Sequence, residues 1–357
     1  MIDPEELRTR ARDLLEGGQV RAVIGYRRGT RGWAAEPVVI TRSEEAQDLV
    51  WDPSCVHNLA LYLVQDRRRR GVLRGPPDRP IGILAKGCDA RAIVVLMQEN
   101  YVQRDEVYII GLSCESSGML DERKLAGAAE GIDPQDLEAV DFEGDAFVLS
   151  SRHQQWRLPA AGVMAERCLE CRNPCPKVHD TLLGKEPREQ ERRGQALTPA
   201  MSDPFAELQR FEQTADSVEA RWDFWSRQFD RCIRCFACRS VCPMCYCEEC
   251  MVDSISFVVT PDTTAQEKAN RLRWIERSAS RSDNIGYHLT RALHLAGRCI
   301  DCGECERVCP VRIPLRLLNT KMERESRERF GYEPGASVEV AALLSSFRDD
   351  DPNDFIR

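Results

Sequence analysis

No stretch of this chain is apolar for long: runs such as Ala92 to Met97 fall far short of the ~20 residues that a membrane-spanning helix needs. The opening Met1-Ile2-Asp3-Pro4-Glu5-Glu6 places no apolar segment behind a basic start, so no signal peptide is expected. Excess positive charge is also missing. A net charge of -8 supplies no basic field for a phosphate backbone, which argues against a nucleic-acid partner. The sequence has no G-x-G-x-x-G turn for a dinucleotide, no phosphate loop, and no Ser–His–Asp or Cys–His nucleophile pattern. Histidine is scarce and scattered. His288 and His294 stand six apart on an expected helix and share no face, and His57, two residues after Cys55, makes no better ligand pattern. The one basic block, Arg67 to Arg70, ends an expected helix that begins near Pro53. There it complements the helix dipole, with docking to an acidic partner as the alternative.

Cysteine is abundant: seventeen residues, most of them in clustered spacings. Cys232, Cys235, Cys238 and Cys242 follow C-x2-C-x2-C-x3-C and are closed by Pro243. Cys299, Cys302, Cys305 and Cys309 repeat that spacing and are closed by Pro310. This is the pattern of two-cluster bacterial ferredoxins, in which three local thiolates wrap one cubane and the cysteine before proline reaches the other. Cys232, Cys235, Cys238 and Cys309 are therefore expected on one 4Fe-4S cluster, and Cys299, Cys302, Cys305 and Cys242 on a second. Zinc ribbons and disulfide frameworks are the alternatives, but zinc ribbons pair C-x2-C units rather than running four cysteines into a proline. Reduced thiols with no export signal point to the cytoplasm.

A length of 357 residues suggests two or three domains at ~150 residues each. Asp3 and Pro4 open a helix, and Val20–Gly25 and Pro37–Thr41 read as short strands. Ile81–Ala85 is a buried strand, Asp89 caps a helix running to about Asn100, and Glu106–Leu112 is a second buried strand. Together they form a βαβ unit with parallel strands. Cys88 and Cys114 each lie just past a strand's C-terminal end, at the sheet edge where open α/β sheets place ligands. Residues 184–202 read as a charged linker. A helix is expected from Asp203-Pro204 to about Phe229, others over Thr263–Ser280 and Ile285–Ala296, and a helix C-cap at Gly297. The expected architecture is an α/β domain with a parallel βαβ core over 1–183, the linker, a mainly helical dicluster ferredoxin-like domain over 203–345, and an acidic tail over 346–357.

Cys168, Cys171 and Cys175 form C-x2-C-x3-C-P ahead of the linker, and this trio lacks a fourth local thiol. A glycine–cysteine turn after one strand (Gly87-Cys88), Gly111-Leu112-Ser113-Cys114 after the next, and a later C-x2-C resemble the beta-subunit family of coenzyme F420 hydrogenases and dehydrogenases, which includes formate dehydrogenase beta subunits. The resemblance spans roughly residues 20–183. It implies a third 4Fe-4S cluster on Cys88, Cys114, Cys168 and Cys171, an FAD, and hydride exchange with F420. The sequence departs from the family where Lys86-Gly87-Cys88-Asp89 replaces a G-T-P-C turn and His179–Gly184 replaces A-D-I-S-V-G, both at turns able to touch a flavin. Cys245, Cys247 and Cys250 are surplus to the two cubanes. They read as small buried groups shielding a cluster, or as a further metal centre completed by Cys55 or Cys175. Three functions stay open: an electron-relay subunit working between redox partners of a larger complex, a flavin-bearing subunit that itself turns over F420, or a zinc-stabilised interaction module.

Overall fold

The computed structural model describes residues 2–71, 77–114, 118–128, 131–185, 203, 205–248, 250, 252, 262, 264–266, 275 and 279–346. They fall into two compact units. The first comprises Met1–Ala206 with Gly335–Ala341, and the second Glu207–Pro334 with Ala342–Arg357.

The first unit begins with α1 (Pro4–Glu16), where Asp3 accepts the Glu5 amide at 2.9 Å and Pro4 takes the position whose N–H would otherwise lack a partner. Strand β1 (Val23–Arg28) runs antiparallel to β2 (Ala35–Ile40) and parallel to β3 (Ile81–Ala85). Between them, α2 (Ala60–Arg70) starts seven residues later than the Pro53 expected for it. The carbonyls that an earlier start would need are already taken. Lys86 Nζ donates to the Cys55 and His57 oxygens at 3.2 and 2.7 Å, and Asp52 holds the Ser54 amide at 2.7 Å. A helix cannot form through carbonyls committed elsewhere.

All five β3 residues are buried, as befits a parallel strand covered on both faces. Helix α3 (Gly87–Gln98) follows directly, and β4 (Val107–Leu112) lies parallel to β3 in the register Ala85↔Gly111. The expected βαβ unit is present. Asp89 lies inside the helix rather than at its cap, and its carboxylate accepts the backbone amides of Lys86 at 2.9 Å and Leu59 at 3.0 Å.

After α4 (Glu122–Ala128), the chain forms an antiparallel meander that the sequence reading did not anticipate. It comprises β5 (Leu137–Glu143), β6 (Ala146–Ser151) and β7 (Gln155–Pro159). The buried positions of β5 alternate with exposed ones, and Gly144 makes the turn with φ +63°. Short helices α5 (Ala160–Val163) and α6 (Glu166–Leu169) lead to β8 (Thr181–Leu183), which closes a five-stranded sheet in the order β2-β1-β3-β4-β8. The segment Gly335–Ala341 belongs to this unit, where the Gln98 side chain donates to the Ser337 and Val340 carbonyls at 2.8 and 2.7 Å.

In the second unit the single long helix expected from Asp203 is two helices, α7 (Ala206–Thr214) and α8 (Val218–Asp230). Ser217 breaks it: its hydroxyl accepts the Ala220 amide at 3.0 Å and starts a new helix. Short α9 (Ala237–Ser240), then α10 (Arg281–Leu295), short α11 (Glu304–Arg307) and α12 (Leu315–Phe330) follow among the described residues. Gly297 takes φ +67° just past α10, as its place after a helix demands. Most of the helix expected over 263–280, most of the linker and all but the first residue of the tail lie outside the described residues. Among the described residues no helix is long and apolar enough to cross a membrane.

Phe147 is fully buried and meets Phe142 edge-to-face with ring centroids 5.0 Å apart, at the centre of the meander's core. Phe147→Ala is expected to destabilise the first unit by about 3–5 kcal/mol, measured by denaturant unfolding.

Candidate metal centres

Parallel pairing of β3 and β4 brings their C-terminal ends side by side, so Cys88, at the second position of α3, and Cys114, two residues past β4, come to one sheet edge. Cys168 sits in α6 and Cys171 two residues beyond it. Backbone contacts draw the two segments together. The Cys114 amide donates to the Pro174 carbonyl at 2.8 Å, and the Met119 amide donates to the Cys168 sulfur at 3.3 Å. Glycine is obligatory where they meet. A Cβ on Gly87 would stand 1.8 Å from the Asn173 oxygen, and one on Gly118 2.8 Å from the Cys168 Cβ.

The thiols feel one another. Burial pushes Cys88 up to about 12, with Asp89 and then Cys171 adding to the rise. Cys114 is raised well above its ordinary value by burial and then by Cys88, Cys171 and Cys168. The structure therefore gathers the four cysteines named from the resemblance. The Cys175 sulfur instead approaches the Pro176 carbonyl at 3.9 Å, and the buried Cys55 sulfur approaches the Val50 carbonyl at 3.8 Å. Beside the group lies an ion pair that the sequence reading passed over. Lys86, 2% exposed, pairs with Asp89 at 3.0 Å and also bonds the Tyr26 hydroxyl.

The two C-terminal motifs adopt one local shape twice. Counting from the first cysteine of each, the second and fourth following residues are left-handed: Arg234 and Phe236 (φ +55° and +58°), Asp301 and Gly303 (φ +54° and +68°). A one-turn helix, α9 or α11, then begins at the fifth. Left-handed non-glycine residues are uncommon and cost of order 1–3 kcal/mol each, so three of them in two short loops mark loops shaped for a ligand.

Cys232, Cys235 and Cys238 line one cavity together with Cys309 from the other motif. Cys299, Cys302 and Cys305 line a second together with Cys242. The closing cysteine of each motif thus lines the hollow of the other. Donors approach the sulfurs: the Arg234 amide to Cys232 at 3.4 Å, the Ile313 amide to Cys309 at 3.4 Å, the Tyr287 hydroxyl beside Cys238 at 3.5 Å, and Asn319 Nδ2 to Cys305 at 3.6 Å. Burial raises Cys232, Cys238, Cys299 and Cys302, and pushes Cys305 up to about 11.

Helix α10 walls both hollows, and sequence reading missed it. Its buried stripe carries Asn284, Tyr287, His288 and Arg291. Polar residues recurring at three- and four-residue spacing on the apolar side of a helix were the available signal. Asn284 Nδ2 donates to the carbonyls of Phe229 at 3.0 Å and Cys232 at 2.9 Å, which ties the end of α8 to the first motif. Among the surplus cysteines, Cys245 lies against Cys242, Cys247 is exposed, and Cys250 packs on the core that contains Cys238 and Cys309. Among the described residues no three His, Cys, Asp or Glu side chains are arranged to hold a single metal ion.

The donor set fits iron–sulfur chemistry. Each hollow presents four sulfurs, and soft thiolates select iron–sulfur clusters, zinc or copper(I) over hard cations. Thiols whose ionisation is opposed by burial and by one another need a positive centre to deprotonate.

Residues 78–220 match the family described as the C-terminal region of the coenzyme F420 hydrogenase/dehydrogenase beta subunit. The F420-dependent formate dehydrogenase subunit beta of Methanocaldococcus jannaschii is 23% identical over 378 residues, covering 93% of this chain and 92% of that protein. The F420-dependent formate dehydrogenase 1 subunit beta of Methanococcus maripaludis is 23% identical over 377 residues, covering 93% and 90%. A chain of the F420-reducing nickel–iron hydrogenase complex from Methanosarcina barkeri superposes with a TM-score of 0.36 at 16% identity, covering 46% of this chain and 58% of that one.

Gly87→Ala is expected to cost about 1–3 kcal/mol through the forced shift of Asn173, read as a lowered thermal midpoint. Gly127→Ala, in α4 with nothing within 4 Å of its added Cβ, should instead be neutral or stabilise by about 0.5–1 kcal/mol.

Proposed function

The chain belongs, through residues 78–220, to the coenzyme F420 hydrogenase/dehydrogenase beta-subunit family, and from that membership we propose that it is an iron–sulfur electron-transfer subunit of a multisubunit oxidoreductase. Its partners are other redox subunits, of the formate dehydrogenase, hydrogenase or heterodisulfide-reductase kind. Bound in the three thiol groups, 4Fe-4S clusters supply one-electron transfer. The observation that carries the reading is the exchange of closing cysteines: Cys309 stands with Cys232, Cys235 and Cys238, and Cys242 with Cys299, Cys302 and Cys305. An isolated zinc knuckle has no use for such a crossing.

The chain's own groups have definite tasks in this reading. The thiolates hold iron, and the left-handed loop residues let three of them converge from one short segment. Amide, hydroxyl and carboxamide hydrogens aimed at sulfur favour the reduced state. Gly87 and Gly118 let the α6 segment close over the sheet edge, so that Cys168 and Cys171 meet Cys88 and Cys114.

The names of the relatives favour a second reading, in which the chain itself binds FAD and exchanges a hydride with F420. Acid release of a visible flavin from the purified protein, followed by F420 reduction, would establish it. A flavin-free protein leaves the relay.

Anaerobically purified protein should contain about twelve irons and as many acid-labile sulfides per chain, four for each of three cubanes. Zinc in their place would defeat the proposal. Cys88→Ser or Cys114→Ser should remove up to about a third of the iron and spare the ferredoxin-type pair. Cys309→Ser should disturb the same EPR signal as Cys232→Ser, and Cys242→Ser the same signal as Cys299→Ser. Pairing by motif instead would refute the crossed assignment.

A further inference from the structure

Arg291, on α10, is 5% exposed, yet no carboxylate pairs with it among the described residues. Arg234, also buried, donates to the Asp283 carbonyl at 2.8 Å, and the remaining buried or half-buried arginines of α12 are paired with carboxylates. Arg316 pairs with Glu207 and Asp301, Arg324 with Glu212, and Arg327 with Glu323 and Glu333. Arg291 Nη2 donates to the Cys238 carbonyl at 3.2 Å, while its Nε has no hydrogen-bond partner. Besides that carbonyl its partners are the thiols of Cys245 and Cys305, so no carboxylate balances this buried charge, and a buried charge needs a counter-charge nearby.

Sulfur surrounds it. Arg291 lines the cavity of Cys242, Cys299, Cys302 and Cys305, and its bond to Cys238 reaches the other cysteine set. Burial opposes its charge, and the thiols of Cys305, Cys245, Cys242 and Cys238 more than offset that. Four thiolates outweigh the positive charge of a cubane core, so each loaded centre is a net anion. A cation between two anions is paired with both.

We propose that Arg291 is the shared counter-charge of the two ferredoxin-type centres, a positioning residue that holds both reduction potentials up. Reduction adds an electron to a centre that is already negative, and a buried cation nearby lowers the cost. The effect reaches both centres because the guanidinium touches a cysteine segment of each. This inference rests on the relay reading. It adds a residue that no ligand spacing reveals.

The test is an EPR-monitored redox titration of the full-length protein, purified without oxygen, as wild type, R291K, R291Q and the exposed control R152Q. The expected result is a shift of both ferredoxin-type midpoints to more negative potential in R291Q, with R291K and R152Q matching the wild type and the N-terminal centre unmoved. Unchanged midpoints in R291Q, or a shift of only one, overturn the proposal. If R291Q does not retain its iron, R291K decides. Wild-type iron content and midpoints in R291K uphold a role for charge, and any other R291K result overturns it. A wild type without iron would sink the relay reading itself, which is a separate and visible failure.

Discussion

Thiols gathered out of water repel one another once ionised and gain nothing by gathering while neutral. Burial alone raises the thiols of Cys88, Cys114, Cys299 and Cys302, and each neighbouring sulfur adds to the rise. In the proposed reading, a positive centre shared by the sulfurs offsets that repulsion. Other oddities of the chain follow from that constraint: glycines where two backbones nearly touch, left-handed residues in short loops, and polar side chains on the buried face of a helix.

The two C-terminal motifs show how a repeated sequence becomes a repeated shape with different surroundings. Their loops share backbone conformation, and their closing cysteines are exchanged. The walls differ. Beside the first hollow stand Tyr287 and His288, the latter stacked on Phe229 with ring centroids 4.7 Å apart and driven down to about 3 by burial and then by Arg291 and Arg234. Arg291 and Asn319 border the second. Cys235 is exposed, which leaves an edge of the first hollow open to the surface, whereas its counterpart Cys302 is half-buried. Identical ligand spacing thus meets unlike electrostatics.

The departures from sequence expectation have local physical causes. Apolar periodicity suggested a helix from Pro53, but it could not foresee that a lysine thirty residues on would claim the Cys55 and His57 carbonyls. The long helix from Asp203 ignored Ser217, whose capping hydroxyl is a readable signal set in an otherwise helical pattern. The meander was legible in the alternation of β5 and the turn at Gly144. It was overlooked because cysteine spacing drew the reading elsewhere. The thiols of the N-terminal group could be named from strand-end placement and resemblance. Their closure over the sheet edge depends on Gly87 and Asn173, distant in sequence and without a shared motif.

Spacing by itself divides eight cysteines of the C-terminal half into two expected sets, because seven residues of chain can wrap only one small centre and a following proline turns the next thiol away. Short apolar runs bounded by turn residues also pointed to the buried strands β3 and β4, too short for helices. Only the tertiary structure decided what faces the sulfurs. Tyr287, His288, Arg291 and Asn319 reach the hollows from helices whose own sequences carry no ligand pattern. Side chains that tune a centre act through space across a fold, and no periodicity along one segment records where a distant segment will lie.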